Sequence, residues 1–164
     1  MSWRAIFRPG MRAYFVPLVA GFALQASIFL PWVIIGTESL TGFPDYAALW
    51  VGGLGLAAVV LAVLSLVTRK NSRHPLLIVG LAALGIMVLS WRIIPATMSE
   101  HALIREQARA IVENRAQGEA PTAVVGSGVY LALLSSLAIV GFGLTIVIRR
   151  VSTTYAVSDP NDDV

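Results

Sequence analysis

The sequence contains no cysteine, and only 13% of its 164 residues are charged. The missing cysteines exclude disulfides, thiolate nucleophiles and cysteine-ligated metals. Soluble domains have about a quarter of their residues charged. Because this chain is instead 57% hydrophobic, with a mean hydropathy of +0.78, its composition indicates an integral membrane protein.

Side chains that perform chemistry are also scarce. Pumps and ion-coupled carriers place ionisable groups inside their spans, yet the apolar runs here have none near their centres, and His74 and His101 lie between runs. The sequence has no cluster with metal-ligand spacing and no Gly-rich phosphate loop. His101 beside Glu100 or Glu106 is the single acid/base candidate, and a solvated helix position explains it better. We therefore expect no enzyme activity, no catalytic residue and no metal or cofactor-binding site.

Four apolar runs are each long enough to cross about 30 Å of hydrocarbon as a helix. They cover residues 14–35, 46–67, 76–94 and 124–148. The sequence thus predicts an all-α, membrane-spanning, up-down four-helix bundle in residues 1–150, followed by a mobile polar tail in residues 151–164. A cleaved signal peptide is the alternative for the first run, but apolar sequence continues to Ile35.

The basic residues predict the orientation. Eight Lys and Arg residues flank the runs on the side of the two termini, and four lie on the opposite side. The positive-inside rule therefore places both termini in the cytoplasm, in a multi-pass protein of the bacterial cytoplasmic (inner) membrane. Because these clusters flank apolar runs, we expect no nucleic-acid partner.

The second outer loop contains an amphipathic pattern over residues 97–115. Thr97-Met98-Ser99-Glu100 fits a capping box, so a separate extramembrane helix is expected to start at Thr97. Its apolar residues recur at helical spacing: Leu103, Ile104, Ala108 and Ile111. This face is expected to be buried on the membrane surface, over the outer mouth of the bundle or against a partner.

Polar and aromatic residues near the spans suggest contacts. Gln25 is the most central polar residue, and we expect it to hydrogen-bond to another helix rather than to a ligand. Trp32, Trp50 and Trp91 are predicted to form an outer aromatic belt. Arg92 is interpreted as an interfacial anchor, the alternative being a pair with Glu38, Asp45 or Glu100, an anionic lipid or a partner.

Small residues recur four apart on two spans, where they allow helices to approach closely. The second span has Ala48 and Gly52, then Gly53 and Ala57; the fourth has a stripe of Gly128, Ala132 and Ser136. Spacing alone leaves open whether these stripes pack inside the bundle or against another subunit.

The N-terminal segment mixes aromatic and basic side chains, Trp3, Arg4, Phe7 and Arg8, as interfacial anchors do. A tryptophan and a basic residue, then a phenylalanine, a proline and an arginine, resemble the start of bacterial light-harvesting α polypeptides. That family binds bacteriochlorophyll through a histidine in the span. The first run here has no histidine, so the resemblance implies an anchor and no pigment ligand.

Two further motifs stand at the outer ends of spans, Leu30-Pro31-Trp32 and Gly128-Val129-Tyr130-Leu131. With them the chain resembles the small bacterial four-helix integral membrane proteins of unknown role, which implies an architecture but no activity. We expect a non-catalytic accessory or structural subunit of a larger membrane complex, of respiratory or photosynthetic type by analogy. Its partners would be membrane protein subunits and lipids, with structurally bound lipids or pigments left open. The alternatives are a small transporter or channel for a neutral or lipophilic solute, and a lipid-binding membrane-surface protein.

Overall fold

The computed structural model describes residues 12–68, 72–116, 118 and 122–154. The predicted anchor residues Trp3, Arg4, Phe7 and Arg8 lie outside the described residues. A 3-10 turn, Arg12–Tyr14, leads into the first helix. The elements then follow as α1 (Phe15–Ser27), β1 (Pro31–Ile35), β2 (Glu38–Thr41), α2 (Tyr46–Thr68), α3 (Arg73–Val112), β3 (Ala123–Val125) and α4 (Ser127–Thr154).

The protein is mostly helical, but the expectation of an all-α chain needs a correction, because a small sheet is present. The predicted helix over residues 14–35 is also wrong in its outer part, since α1 ends at Ser27 and Pro31–Ile35 form a strand. Among the described residues, three helices are long and apolar enough to cross a membrane: Tyr46–Thr68, Arg73–Val112 and Ser127–Thr145.

The third helix corrects a second prediction. Instead of a span and a separate helix starting at Thr97, α3 continues through Pro95 as one helix of 40 residues. Thr97 does not cap a helix start; its hydroxyl donates to the carbonyls of Ile93 and Ile94, at 3.1 and 3.0 Å. A Thr hydroxyl that bonds the carbonyls three and four residues earlier belongs to a continuous helix and not to a helix start. At 1.5 Å per residue α3 is about 60 Å long.

The outer end of α3 lies close to its predicted position. The helix ends at Val112, and Asn114 follows in the left-handed conformation, with φ 48°. The backbone N–H of Arg115 donates to the carbonyl of Ala110 at 3.0 Å, and that of Asn114 to Ile111 at 3.3 Å. This is a Schellman arrangement, in which asparagine is an accepted alternative to glycine.

The four helices form a closed ring. Helix α1 packs between α2 and α4, and α3 packs between the same two helices on the other side. Small and aliphatic residues fill the centre, with Leu24, Ala58, Leu76, Met87 and Ile139 fully buried. The outward faces are apolar as well. The large apolar side chains exposed on these faces include Val19, Phe22, Leu56, Val60, Ile78, Leu89, Leu134 and Leu137.

Side chains from three elements meet at the inner end. The ring of Tyr14 packs edge-on against Phe142, with centroids 5.0 Å apart, and the guanidinium of Arg73 lies 5.5 Å from the centroid of the same ring. The backbone N–H of Ser72 donates to the Tyr14 hydroxyl at 3.2 Å. These contacts join the start of α1 to the α2–α3 connection. At the C-terminus, residues 151–154, predicted as the start of the tail, continue α4.

The sheet joins the two outer loops. Its strand order is β2-β1-β3, and both pairings are antiparallel. Ile35 pairs with Glu38 across a two-residue turn, in which Gly36 has a φ of 59°. Gly126 must be a glycine, because a Cβ there would lie 2.2 Å from the carbonyl oxygen of Pro31. The sheet therefore ties the α1–α2 connection to the entry of α4.

Candidate functional site at the outer end of the bundle

Trp32 does not belong to an exposed aromatic belt, which corrects that prediction. Its side chain is 2% exposed, and its indole Nε1 donates to the carbonyl of Ser27 at 2.9 Å. A Cβ on Gly42 or on Gly128 would lie 2.6 Å from the indole ring. Trp32 is therefore packed between the two outer loops and has no surface for lipid or a partner.

The other two tryptophans do face outward, as do the neighbouring charged and aromatic groups. Trp50 is 69% exposed and Trp91 46%. Tyr46, at the start of α2, is exposed beside Trp50. Arg92 is exposed too, and no ion pair joins it to a carboxylate in the described part of the chain. The alternative that pairs Arg92 with Glu38, Asp45 or Glu100 is thus wrong for this structure, while contact with lipid or a partner stays a prediction.

The small-residue stripe of α4 is used inside the bundle. Gly128, Ala132 and Ser136 are all buried, and the Ser136 hydroxyl donates to the carbonyl of Leu133, in its own helix, at 2.9 Å. Of the two alternatives that spacing left open, the internal contact is the one observed. These residues are not available to another subunit.

Gln25 joins α1 to α2, as predicted. Its amide Nε2 donates to the carbonyl of Gly52 at 2.7 Å. The two helices cross closely here, because a Cβ on Gly55 would lie 3.1 Å from the carbonyl oxygen of Gly21 and 3.3 Å from Gln25 Cγ. Gly53, two residues before Gly55, has open space around it. Gly55 therefore lies in a helix contact, whereas Gly53 does not.

Replacing Gln25 with leucine should cost about 0.6–1 kcal/mol of bundle stability, because an interhelical hydrogen bond in a membrane contributes about that much. Detergent-denaturation midpoints of the purified chain would measure the change. Replacing Ser65 with alanine is the control, since its hydroxyl bonds the carbonyl of Leu61 in the same helix. Equal effects of the two substitutions would contradict an interhelical role for Gln25.

The outer part of α3 extends past the sheet with its apolar face uncovered. The exposed fraction is 59% at Ile104, 80% at Ile111 and 84% at Val112. Leu103 and Ala108 are exposed as well. Beside the sheet the helix is held, because the backbone N–H of Ala123 donates to the Ser99 hydroxyl at 3.1 Å. We call the exposed apolar residues Leu103, Ile104, Ala108, Ile111 and Val112 the outer face.

A groove of about 710 Å³ lies between the β1–β2 hairpin and α3. We call it the outer groove. His101, Arg105 and Arg109 follow one another at four-residue intervals on the helix wall, so they share one helix face. The remaining lining residues are Ile35, Gly36, Thr37, Glu38, Leu40, Met98, Ala102 and Glu106. The sequence pattern identified the helix but not the opposite wall.

Arg115 holds the end of α3 with two ion pairs. Its guanidinium lies 2.8 Å from the carboxylate of Glu106 and 2.7 Å from that of Glu113. The hydrogen bond to Glu113 and the charge of Glu106 raise the pKa of Arg115 above its ordinary value. The carboxylate of Glu106, which also lines the outer groove, is thereby paired with Arg115.

The fold defines a mostly helical protein with three candidate membrane spans, an outer sheet and an outer helix extension. Comparison of the chain with protein-family models, with curated proteins and with solved structures finds no significant match in any of the three. The outer face and the outer groove are therefore the features of this structure that bear on function.

Proposed function

We propose that this protein is a non-catalytic accessory subunit of a larger membrane complex, which it contacts through the outer face. In this proposal α1 crosses the bilayer with the other three helices, and both termini lie in the cytoplasm. The 13 residues of α1 extend about 20 Å, so the 3-10 turn before the helix and residues 28–30 after it complete the crossing. The apolar outward residues of α1, such as Val19 and Phe22, support its insertion beside α2 and α4. The excess of basic residues near the termini supports the orientation.

The observation that carries the proposal is the continuity of α3. A helix of 40 residues is about twice as long as the hydrocarbon layer is thick. Because the outer segment continues the span, it projects from the membrane instead of lying flat on it. Ile104 and Ile111 then face water, which costs about 25 cal/mol of free energy for each Å² of exposed apolar surface. A partner that covers this face removes that cost, which favours a partner over the lipid-surface alternative.

The position of Gln25 argues against the transporter alternative. A carrier for a neutral solute would need polar groups facing a cavity between the helices. The Gln25 amide is instead bonded to Gly52, and the fully buried Leu24, Met87 and Ile139 fill the centre of the ring. The interior is thus suited to helix packing.

Gentle extraction from the native membrane, native electrophoresis and mass spectrometry test the proposal. We expect this chain to migrate with a larger complex at a fixed stoichiometry. Migration as a small oligomer, with no other subunit, would reject the proposal and favour transport.

Replacing Ile104 and Ile111 together with glutamine should abolish this co-migration, because both residues belong to the outer face. Both are exposed, so the free energy of unfolding of the purified chain should change by less than about 0.5 kcal/mol. The matched control is Val124→Gln, which changes an apolar residue on β3 that is 60% exposed but lies outside the outer face. Co-migration that survives the double substitution would place the contact elsewhere.

A further inference from the structure

The outer groove contains cationic groups without anionic partners. Arg105 and Arg109 are exposed, and neither forms an ion pair within the described part of the chain. Two carboxylates line the same groove, but Glu106 is paired with Arg115, and Glu38 on the hairpin forms no ion pair with the described residues. Like charges one helical turn apart repel each other, so a bound anion between the two arginines would relieve that repulsion.

In the membrane placement of the proposed function, the groove lies beyond the lipid headgroups. Its helix wall extends from Met98 to Arg109, which is about 9–25 Å along α3 beyond the interfacial Arg92. The headgroup layer is about 5–8 Å thick on each side of the bilayer. Arg105 and Arg109 are therefore in water, where a segment of a protein can reach them and a phospholipid headgroup cannot.

The lining changes character along the groove. Near the membrane the helix wall consists of Met98, His101 and Ala102, of which Met98 and Ala102 are apolar, whereas Arg105 and Arg109 make the wall basic farther out. This wall is about 16 Å long, the length of an extended segment of about five residues. The rise between the two arginines is about 6 Å, close to the spacing of about 6.6 Å between alternate residues of an extended chain.

We propose that the outer groove binds an extended segment of a partner subunit, apolar at its membrane end and with two carboxylates at alternate positions farther out. This inference rests on the proposed function, because it names the chemistry of the partner at the same end of the bundle. The two guanidiniums donate to the two carboxylates, as planar forks that match carboxylate geometry.

Photo-crosslinking in native membranes tests the inference. Benzoylphenylalanine replaces Ala102 on the helix wall in one full-length variant and Thr37 on the hairpin wall in a second, so that one misfolded variant does not decide the result. Mass spectrometry of the crosslinked peptides should identify one partner segment that has Asp or Glu at alternate positions.

Charge variants measure the contribution of the arginines. The crosslinking yield should fall about threefold for Arg109→Gln and about tenfold for Arg105→Gln with Arg109→Gln, since exposed ion pairs contribute modestly. Ser127→Asp also lowers the net charge by one, but the exposed Ser127 at the start of α4 lines neither the outer groove nor the outer face, so the yield should not change.

Three results would overturn the inference while leaving the proposed function intact. They are a crosslink to a segment without acidic residues, a crosslink to phospholipid, and no crosslink from either position in a chain that still migrates with a complex. Absence of any complex would overturn the proposed function, and this inference with it.

Discussion

Replacing Trp32 with alanine is expected to lower the free energy of unfolding by about 3–5 kcal/mol, the usual cost of removing a buried tryptophan. Trp32 is 2% exposed and is the one tryptophan in the described residues that is buried. Its removal leaves a void against Gly42 and Gly128, whose missing Cβ atoms make room for the indole. The hydrogen bond to Ser27 is lost too. Both outer loops should loosen together.

Equilibrium unfolding in mixed micelles measures this loss, and proteolysis of the outer loops detects their loosening. Trp50→Ala is the matched control, because Trp50 is 69% exposed and should give a change of less than about 0.5 kcal/mol. Equal destabilisation by the two substitutions would show that Trp32 does not join the loops as the structure has it.

The long apolar runs were a reliable guide to the helices. Residues 46–67 were predicted as a span and α2 covers Tyr46–Thr68. The apolar part of α3 was predicted equally well, whereas the run predicted as helix from residue 124 begins with β3 (Ala123–Val125), and α4 starts at Ser127. A run of about 20 apolar residues can satisfy its backbone in lipid only as a helix, so length and composition determine the structure there without knowledge of any tertiary contact.

The first run shows where that argument fails. Pro31 and the β-branched Val33, Ile34 and Ile35 are apolar, so hydropathy counts them as span. Val33, Ile34 and Ile35 are also strong strand formers, and Gly36-Thr37 after them suits a two-residue hairpin turn. That local signal could have identified β1 and β2. The pairing of β1 with β3 could not be predicted, because the two strands are far apart in the sequence.

Trp32 and Pro95 show the limits of local signals in two ways. The sequence placed Trp32 near the outer end of a span, but the direction of its side chain depends on Gly42 and Gly128, which belong to other segments. Pro95 followed by a capping box is typical of a helix boundary. In α3 the helix nevertheless continues through Pro95, and the hydroxyls of Thr97 and Ser99 bond to carbonyls of the preceding turn instead of capping a new helix.

The candidate site was therefore predicted in part. The apolar residues Ile104 and Ile111 were identified from helical periodicity, and the structure leaves them exposed. The outer groove was missed, because its second wall is the hairpin. Arg105 and Arg109 have helical spacing in the sequence, but only the fold shows that they face the hairpin.

Replacing Gly55 with valine is expected to lower the stability of the bundle by about 1–3 kcal/mol, as overpacking usually does. A Cβ there would lie 3.1 Å from the carbonyl oxygen of Gly21 and 3.3 Å from the backbone nitrogen of Gln25. Two of the three nearest atoms are backbone, so a side-chain rotation cannot relieve the contact and α1 must move away. That movement should also lengthen the hydrogen bond from Gln25 to Gly52.

Gly53→Val is the control, because it separates the effect of overpacking on stability from the effect of changed helix propensity. Both substitutions put valine in the same helix, but a Cβ on Gly53 meets no atom of the described residues within 4 Å. Denaturation of the purified chain should therefore distinguish the two variants, with Gly53→Val close to the parent. A tolerated Gly55→Val would mean that α1 does not cross α2 at Gly21 and Gly55. Because α1 is the shortest of the four helices and packs between α2 and α4, its place in the bundle would then need another contact.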